Sequence, residues 1–208
     1  MRVIGITGGV GAGKSRILDF LEKEYEAKVF QADEAGHRVM EPGTGAFAEI
    51  TRLFGREILG EDGRIDRRAL GALVFSDQEK RECLNGIIHP AVKAMALEEI
   101  ARTRHEGVHP LFVIEAALLI EDHYERICDE LWYVYADERV RRERLRTSRG
   151  YSDEKITAVF ESQLSEAEFR RHCQLVIDNS GSIEAACEQI RELLHESSAF
   201  HGLTSRIK

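Results

Sequence analysis

A glycine-rich loop lies between a short apolar run and an amphipathic segment close to the first residue of the chain. The apolar run is Val3–Thr7, and the loop with the two residues after it, Gly8–Ser15, reads G-G-V-G-A-G-K-S. In the next segment, Ser15–Tyr25, apolar side chains recur at helical spacing. A buried strand that enters a helix through such a loop is typical of a parallel α/β sheet. This order of elements constrains the fold more than any other feature of the sequence.

The loop fits the pattern G-x-x-x-x-G-K-S, which predicts a phosphate-binding site. Glycines let the backbone wrap an anion with its N–H groups turned inward, and the following helix presents its positive dipole end to the same anion. The lysine can reach the β- and γ-phosphates and the serine hydroxyl can bind Mg²⁺. A chance glycine turn is the alternative, but the strand before the loop and the helix after it fit the binding site. We therefore expect ATP and Mg²⁺ as cofactors. The residues expected to bind the nucleotide are Gly8, Gly9, Val10, Gly11, Ala12, Gly13, Lys14, Ser15 and Arg16.

Four further apolar runs, separated by helical periodicity and without a hairpin signal, predict a doubly wound five-stranded parallel sheet. The runs are Val29–Phe30, Leu111–Ile114, Leu131–Tyr135 and Leu175–Ile177. Ligands of such sheets bind beyond the carboxyl ends of the strands. The polar residues that follow these strands are therefore the candidates for chemistry.

Two carboxylates follow predicted strands. Asp33 could accept the proton of an acceptor hydroxyl or hold a metal-bound water, but it could equally be the N-cap of a helix that starts at Glu34. Glu115 ends the third strand, where the second acidic group of such sites assists Mg²⁺, so Ser15 and Glu115 are the expected metal ligands. Glu121 is either a site residue or a solvated helix residue.

Six arginines stand between residues 139 and 149 of a chain whose net charge is −8, which suggests that a small anionic ligand is held at one place. Mobile arginines that close over a nucleotide would stabilise charge developing on the transferred phosphoryl group. The alternative is a solvated helix face paired with Glu138 and Glu143. We expect two or three of the six to contact phosphate. The six arginines are Arg139, Arg141, Arg142, Arg144, Arg146 and Arg149.

Composition argues against several other classes of protein. Asp and Glu number 37 against 29 Lys and Arg, so nucleic acid is not an expected partner. No apolar run approaches ~20 residues, so a membrane is not an expected partner either. The four cysteines form no C-x-x-C pair and no signal peptide precedes the first strand, which predicts free thiols in the cytoplasm. A monomer or a weak homo-oligomer is expected.

An ordered set of segments resembles the dephospho-CoA kinase family from Ile4 to about Leu194. The segments are T-G-G-V-G-A-G-K-S at 7–15, A-D at 32–33, F-G at 54–55, D-G-R-I-D-R at 62–67, I-I-H-P at 87–90, L-L-I-E at 118–121, Gln163 and V-I-D-N at 176–179. The loop is shared by many enzymes, whereas the D-G-x-x-D-R and I-I-H-P segments are more specific. Two departures stand out: Gln31 occupies a position where the family often has Asp, and Ala117 one where it commonly has Pro.

The resemblance implies ATP-dependent phosphorylation of the ribose 3′-hydroxyl of dephospho-CoA. It implies one P-loop kinase domain over residues 1–196, with a helical CoA-binding region at about 34–106 and a lid at about 139–172. The tail at 197–208 has little apolar periodicity and is expected to lack fixed structure. The resemblance favours Asp33 as the catalytic carboxylate. Lys14 and Arg144 are the other two expected catalytic residues. The resemblance also places Asn179 at the adenine pocket and Arg149 among the nucleotide-binding residues. The expected acceptor contacts are Asp33, His89, Leu118 and Glu121.

Several alternatives stay open at this point. His89, in Ile88-His89-Pro90, could instead cap a helix or satisfy the core. The acceptor could be a nucleoside, a nucleotide or a shikimate-like alcohol in another P-loop kinase. A GTP-binding switch module is a further rival, but it needs an N-K-x-D or T-K-x-D motif, which the sequence lacks.

Overall fold

The computed structural model describes residues 1–75 and 77–204, with side chains as far as residue 195. The chain forms two compact units. One comprises residues 1–29 together with the chain from residue 109 onward, and the other comprises residues 30–108. The second unit nearly coincides with the helical region expected at about 34–106.

Five strands form a single parallel sheet: β1 (Arg2–Thr7), β2 (Lys28–Gln31), β3 (Leu111–Glu115), β4 (Glu130–Tyr135) and β5 (Leu175–Asp178). Their order is β2-β3-β1-β4-β5. β1 pairs with β3 through Ile4 opposite Val113, and with β4 through Ile6 opposite Trp132. The strand order reverses on either side of β1, so a ligand site is expected where this strand ends. The predicted doubly wound five-stranded sheet is confirmed.

The helices of the first unit lie before β2 and after β3, and those of the second unit lie between these strands. In chain order they are α1 (Lys14–Tyr25), α2 (Ala32–Val39), α3 (Gly45–Phe54), α4 (Arg67–Phe75), α5 (Gln78–Glu106), α6 (Glu138–Arg149), α7 (Asp153–Glu161), α8 (Glu166–His172) and α9 (Ile183–Thr204). Short 3₁₀ turns cover Arg56–Ile58 and Tyr124–Arg126. No helix in the described part of the chain is long and apolar enough to span a membrane.

Each unit has its own apolar core. In the first unit Ile4, Ile6 and Trp132 of the central strands are fully buried against Ile17 of α1 and Ile190 of α9. A fully buried side chain of this size contributes about 1.5–3 kcal/mol relative to an exposed one, so these contacts hold the sheet and its helices together. In the second unit the core consists of Ile50, Phe54, Ile58, Leu70 and Leu84.

Helix boundaries correct two of the sequence-based alternatives. α2 begins at Ala32 after Gln31, so Asp33 lies inside its first turn and is not an N-cap. His89 lies in the interior of α5 beside Pro90, so it does not cap a helix. α9 continues to Thr204. Residues 197–204 of the expected tail therefore lie in α9, whereas the side chains from residue 196 and the whole of 205–208 lie outside what the structure describes.

Candidate active site

The glycine loop occupies the carboxyl end of β1 and leads directly into α1. Gly13 is the N-cap of α1 in the left-handed conformation, with φ 90°, and no side chain caps the helix. A Cβ at this position would collide with the Asn179 amide nitrogen, which explains why glycine is needed here. The N–H groups of the first turn of α1 therefore have no side-chain acceptor, as an anion-binding helix terminus requires.

Lys14 and Glu115 meet at the loop. Lys14 Nζ donates to the Gly8 carbonyl oxygen at 2.7 Å and lies 3.5 Å from Glu115 Oε1. Glu115 reaches this place because β3 pairs with β1 and the two strands end side by side, with Glu115 opposite Ile6. The structure thus brings together two of the residues that the sequence places at strand ends. A carboxylate beside Lys14 also gives the site an oxygen ligand for a divalent cation.

Asn179 and Arg144 hold the second half of the loop from outside. Asn179 Nδ2 donates to the Ala12 carbonyl at 2.7 Å, and Arg144 Nη2 donates to the Asn179 carbonyl at 2.9 Å. Arg144 Nη1 also approaches the Ala12 and Gly11 carbonyls at 3.3 and 3.5 Å. Because the carbonyl and the N–H of one trans peptide point in opposite directions, the Gly13 N–H faces away from the donors that bind the Ala12 carbonyl.

Cationic groups gather near the loop. Burial lowers the pKa of Arg144, and the charge of Arg16 lowers it further. Arginine nevertheless stays protonated in proteins, so two positive charges are held close together beside the amino end of α1. Such an arrangement is unfavourable alone and becomes favourable when an anion lies between the charges.

Two buried polar atoms near the loop have no hydrogen-bond partner among the described residues. They are Thr7 Oγ1, at the end of β1, and Asn179 Oδ1, beside the loop. Buried polar groups are nearly always hydrogen-bonded in native proteins, and an exception needs an explanation. Both residues follow or end a strand beside the glycine loop, so a ligand or water bound there is one source of the missing hydrogen bonds.

The arginine-rich helix α6 divides into a face that contacts the loop and a face that meets solvent. Arg141 and Arg144, three residues apart on one side of α6, both bond loop carbonyls. Arg142 instead pairs with Glu138, and Arg146 pairs with Asp153. Arg139 and Arg149 are exposed. Arg146, which is exposed, therefore fits the solvated-face alternative, whereas Arg142 is partly buried and also bonds Thr157 of α7.

Two residues at the loop were not singled out for a role by the sequence. Arg141 was only one of six arginines, and Gln163 was only a matched position of the family resemblance. Arg141 Nη2 donates to Gln163 Oε1 at 2.8 Å, and both side chains bond Val10. The three-residue spacing places Arg141 on the same side of a helix as Arg144, which was already expected to contact phosphate, but nothing local in the sequence identifies Gln163.

The expected acceptor residues divide between the two units. Asp33 is exposed in the first turn of α2, and His89 is partly buried in α5, which packs against α2. In the other unit, Leu118 and Glu121 lie in the turns that follow β3; Leu118 is 43% exposed and Glu121 is exposed. Glu121 is thus a turn residue, and the alternative that placed it on a helix is wrong.

A divalent cation would need ligands from outside the protein as well. Among the side chains that the structure describes, those of residues 1–75 and 77–195, no group of three or more His, Cys, Asp or Glu could hold a metal ion. Ser15 is exposed in the first turn of α1, and Glu115 lies beside Lys14. Mg²⁺ is usually bound by one or two protein oxygens together with phosphate oxygens and water, so the residues present fit such an ion.

Comparison with known proteins gives a consistent result. Residues 2–185 match the family model described as dephospho-CoA kinase. The dephospho-CoA kinase of Anaeromyxobacter dehalogenans is 41% identical over 194 residues, which cover 93% of this chain and 91% of that one. The corresponding enzyme of Symbiobacterium thermophilum is 38% identical over 190 residues, or 91% of this chain and 79% of its own length.

Solved structures give the same result for the fold. A dephospho-CoA kinase from Campylobacter jejuni superposes with a TM-score of 0.70 over 97% of this chain and 100% of its own. Its sequence is 22% identical, so this likeness concerns the fold alone.

Proposed function

The chain belongs to the dephospho-CoA kinase family, and on this premise we propose that it transfers the γ-phosphoryl group of ATP to the ribose 3′-hydroxyl of dephospho-CoA. The products are coenzyme A and ADP. The observation that carries the proposal is the match of residues 2–185 to the family, which includes the glycine loop and the side chains that hold it. We also place the reaction in the cytoplasm, in keeping with the free thiols of its cysteines.

The loop binds the phosphates of the nucleotide. Its inward amides and the amino end of α1 hold phosphate oxygens, and Lys14 leaves the Gly8 carbonyl to meet the β- and γ-phosphates. Arg144 stands beside the loop with Arg16 and stabilises the charge that grows on the transferred group. In this proposal Asn179 contacts the adenine side of the nucleotide, and Arg149 of the lid is a further nucleotide-binding residue.

Ser15 and Glu115 would hold Mg²⁺ together with phosphate oxygens. An ion held there would neutralise negative charge on the phosphate oxygens. Glu115 also orients Lys14, because the two side chains form an ion pair at 3.5 Å. Gln31 occupies the position where the family often has Asp, and a neutral amide is a weaker ligand for the ion than a carboxylate.

Asp33 orients the acceptor hydroxyl and takes its proton. Its position inside the first turn of α2 leaves the carboxylate exposed, so it is accessible to a hydroxyl group. A carboxylate that accepts a hydrogen bond from the hydroxyl can aim the oxygen at the γ-phosphorus and receive the proton as the bond forms. His89, Leu118 and Glu121 are the further acceptor contacts in this proposal.

The rival acceptors differ in chemistry outside the phosphoryl-transfer site. A kinase for nucleosides, nucleotides or shikimate-like alcohols would use the same loop and the same in-line transfer. Membership of the family favours dephospho-CoA over these compounds. The missing guanine motif argues against a GTP-binding switch.

A panel of acceptors tests the proposal. Purified protein with ATP and Mg²⁺ is offered dephospho-CoA, AMP, dCMP and adenosine, and ADP release and the mass of the product are measured. We expect dephospho-CoA to give by far the highest kcat/KM and a product heavier by one phosphoryl group at the 3′-position. Lys14→Ala is the control, because it should abolish transfer while the circular-dichroism spectrum is retained. A higher kcat/KM for any other acceptor would refute the assignment.

A further inference from the structure

Val10, in the glycine loop, has both of its backbone polar groups bound by side chains of the lid segment, residues 139–172. Arg141 Nε donates to the Val10 carbonyl at 2.9 Å, and the Val10 N–H donates to Gln163 Oε1 at 3.3 Å. Arg141 Nη2 donates to the same Gln163 oxygen at 2.8 Å. The three residues thus form a closed ring of hydrogen bonds that joins the loop to α6 and to the chain after α7.

The Arg141 guanidinium is itself held in place. It lies over the Phe160 ring, 4.1 Å from the ring centroid, which fixes the plane of the guanidinium. The loop approaches it so closely that a Cβ on Gly9 would overlap the guanidinium. A Cβ on Gly11 would lie 3.0 Å from the Arg141 carbonyl oxygen. Packing as close as this allows the hydrogen-bonded ring little freedom.

Anchoring the Val10 carbonyl decides where the next amide points. In a trans peptide the C=O and the following N–H point in opposite directions, and no cis peptide occurs in the described residues. With the Val10 carbonyl bound to Arg141, the Gly11 N–H faces the opposite side of the loop. Asn179 orients the Gly13 N–H in the same manner through the Ala12 carbonyl. The Ala12 N–H is used within the loop, where it bonds the Gly9 carbonyl at 3.1 Å.

We propose that Arg141 and Gln163 are positioning residues that hold the Val10–Gly11 peptide in the orientation that binds a nucleotide phosphate. They act only through the backbone of the loop, whereas Arg144 also acts on the phosphoryl group in the proposed reaction. The inference rests on the proposed use of ATP. ADP and ATP share the phosphates nearest the loop. Loss of the Arg141 or Gln163 side chain therefore weakens the binding of both nucleotides and leaves the affinity for the acceptor unchanged.

The shape of arginine distinguishes this role from a simple charge effect. The planar guanidinium donates to Val10 from Nε and to Gln163 from Nη2 at once, and a lysine ammonium cannot reproduce this fork. A residue that only attracted phosphate by its charge would tolerate lysine. Arg139 provides a matched control, because it lies on the same helix, carries the same charge and is exposed.

The test compares Arg141→Lys, Arg141→Met, Gln163→Met and the double variant Arg141→Met/Gln163→Met with Arg139→Met. Calorimetry gives the Kd of Mg·ADP, and steady-state kinetics give kcat and both KM values. We expect each single variant to bind ADP about tenfold more weakly, as for one lost charge-assisted hydrogen bond. Arg141→Lys should bind ADP as weakly as Arg141→Met does. The double variant should bind ADP no more weakly than either single methionine variant. The KM for dephospho-CoA should be unchanged in all these variants. Arg139→Met should have the ADP affinity, kcat and KM values of the wild type.

Three results would overturn the inference: wild-type ADP affinity in Arg141→Lys, additive losses in the double variant, or a lower Tm with an unchanged Kd. Amide hydrogen exchange in the wild-type protein gives a second test that needs no variant. The Val10 amide should be protected without nucleotide, and the Gly11 amide should become protected only when ADP binds. Rapid exchange of Val10 in the free protein would contradict the proposal. If the wild type binds ADP but does not phosphorylate dephospho-CoA, the acceptor assignment fails alone, and ADP affinities still decide the role of the pair.

Discussion

At the scale of single residues, Asp33 is the side chain on which the proposed chemistry most depends. Asn keeps its size and much of its hydrogen bonding but is a very poor base. We therefore expect Asp33→Asn to lower kcat on dephospho-CoA by about 10²–10⁴-fold, the usual range for loss of a positioned base. Thermal stability should hardly change, because Asp33 is exposed and does not cap α2.

Glu34→Gln is the matched control for this experiment. Glu34 is the next residue of the same first turn, is also acidic and is exposed. Removal of either charge alters the interaction with the dipole of α2 by a similar, small amount. Equal losses of kcat in the two variants would mean that the charge of the helix end matters and that Asp33 has no role of its own.

Arg144 should affect turnover more than nucleotide affinity. Asn179 also bonds the Ala12 carbonyl, so this carbonyl keeps one side-chain donor when the arginine is removed. The charge that grows on the phosphoryl group loses a donor, which costs about 10²–10³-fold in kcat at comparable sites. We expect this loss in Arg144→Met with a smaller change in the Kd of ATP. Arg146→Met, which removes a solvent-exposed partner of Asp153, is the control. A raised Kd with unchanged kcat would exclude the proposed role.

Residues of the site differ in how far the sequence could identify them. Lys14 and Glu115 were identifiable because each follows a strand, and parallel strands end at one edge. The role of Gln163 was not identifiable from its neighbours, because only the folded chain brings it to Val10 across 153 positions. Arg141 was ambiguous because a helix displays arginines on every side, and spacing alone does not say which side meets the loop.

At the scale of elements, the start of α1 depends on a residue without a side chain. Gly13 combines a left-handed backbone with close contact to the Asn179 amide. We expect Gly13→Ala to lower the free energy of unfolding by about 1–3 kcal/mol and to abolish measurable ADP binding. The backbone conformation contributes part of this cost, and the collision with Asn179 contributes the rest. Urea denaturation and calorimetry measure the two effects.

Gly107→Ala separates strain from collision. Gly107 ends α5 with φ 67°, and a Cβ there would meet nothing within 4 Å. It should therefore lose only the strain contribution, about 1 kcal/mol, and keep ADP affinity. If the two variants lose the same stability and both bind ADP, Asn179 does not constrain the loop.

Strands were more predictable than helix ends. All five apolar runs form strands, since a buried parallel strand needs apolar side chains on both faces. Helix ends depend on a few local hydrogen bonds, which compete with one another. At Asp33 the pattern placed the helix start two residues too late, because Ala32 is already helical and the Gln31 side chain makes no capping bond. At Leu194 the apolar spacing weakens while the helix continues to Thr204.

At the scale of the whole molecule, burial decides how each cysteine reacts. Cys83 is exposed on α5, whereas Cys173 and Cys187 are buried and Cys128 is partly buried. Burial raises the pKa of Cys128 and of Cys173 to about 12, and it also raises that of Cys187. The thiolate is the reactive form, so at pH 8 these three thiols are almost entirely protonated and also shielded from reagents.

Titration of the native protein with an aromatic disulfide reagent at pH 8 should therefore show one fast thiol and three slow ones. The fast thiol is Cys83, and Cys83→Ser should remove the fast phase and leave the slow phase unchanged. Because the slow thiols react only when the structure opens, their rate should fall when Mg·ATP binds the native state and reduces opening of the first unit. In guanidinium chloride all four cysteines should react at once. A second fast thiol in the folded protein would show that the core around β4 and β5 opens far more readily than its burial indicates.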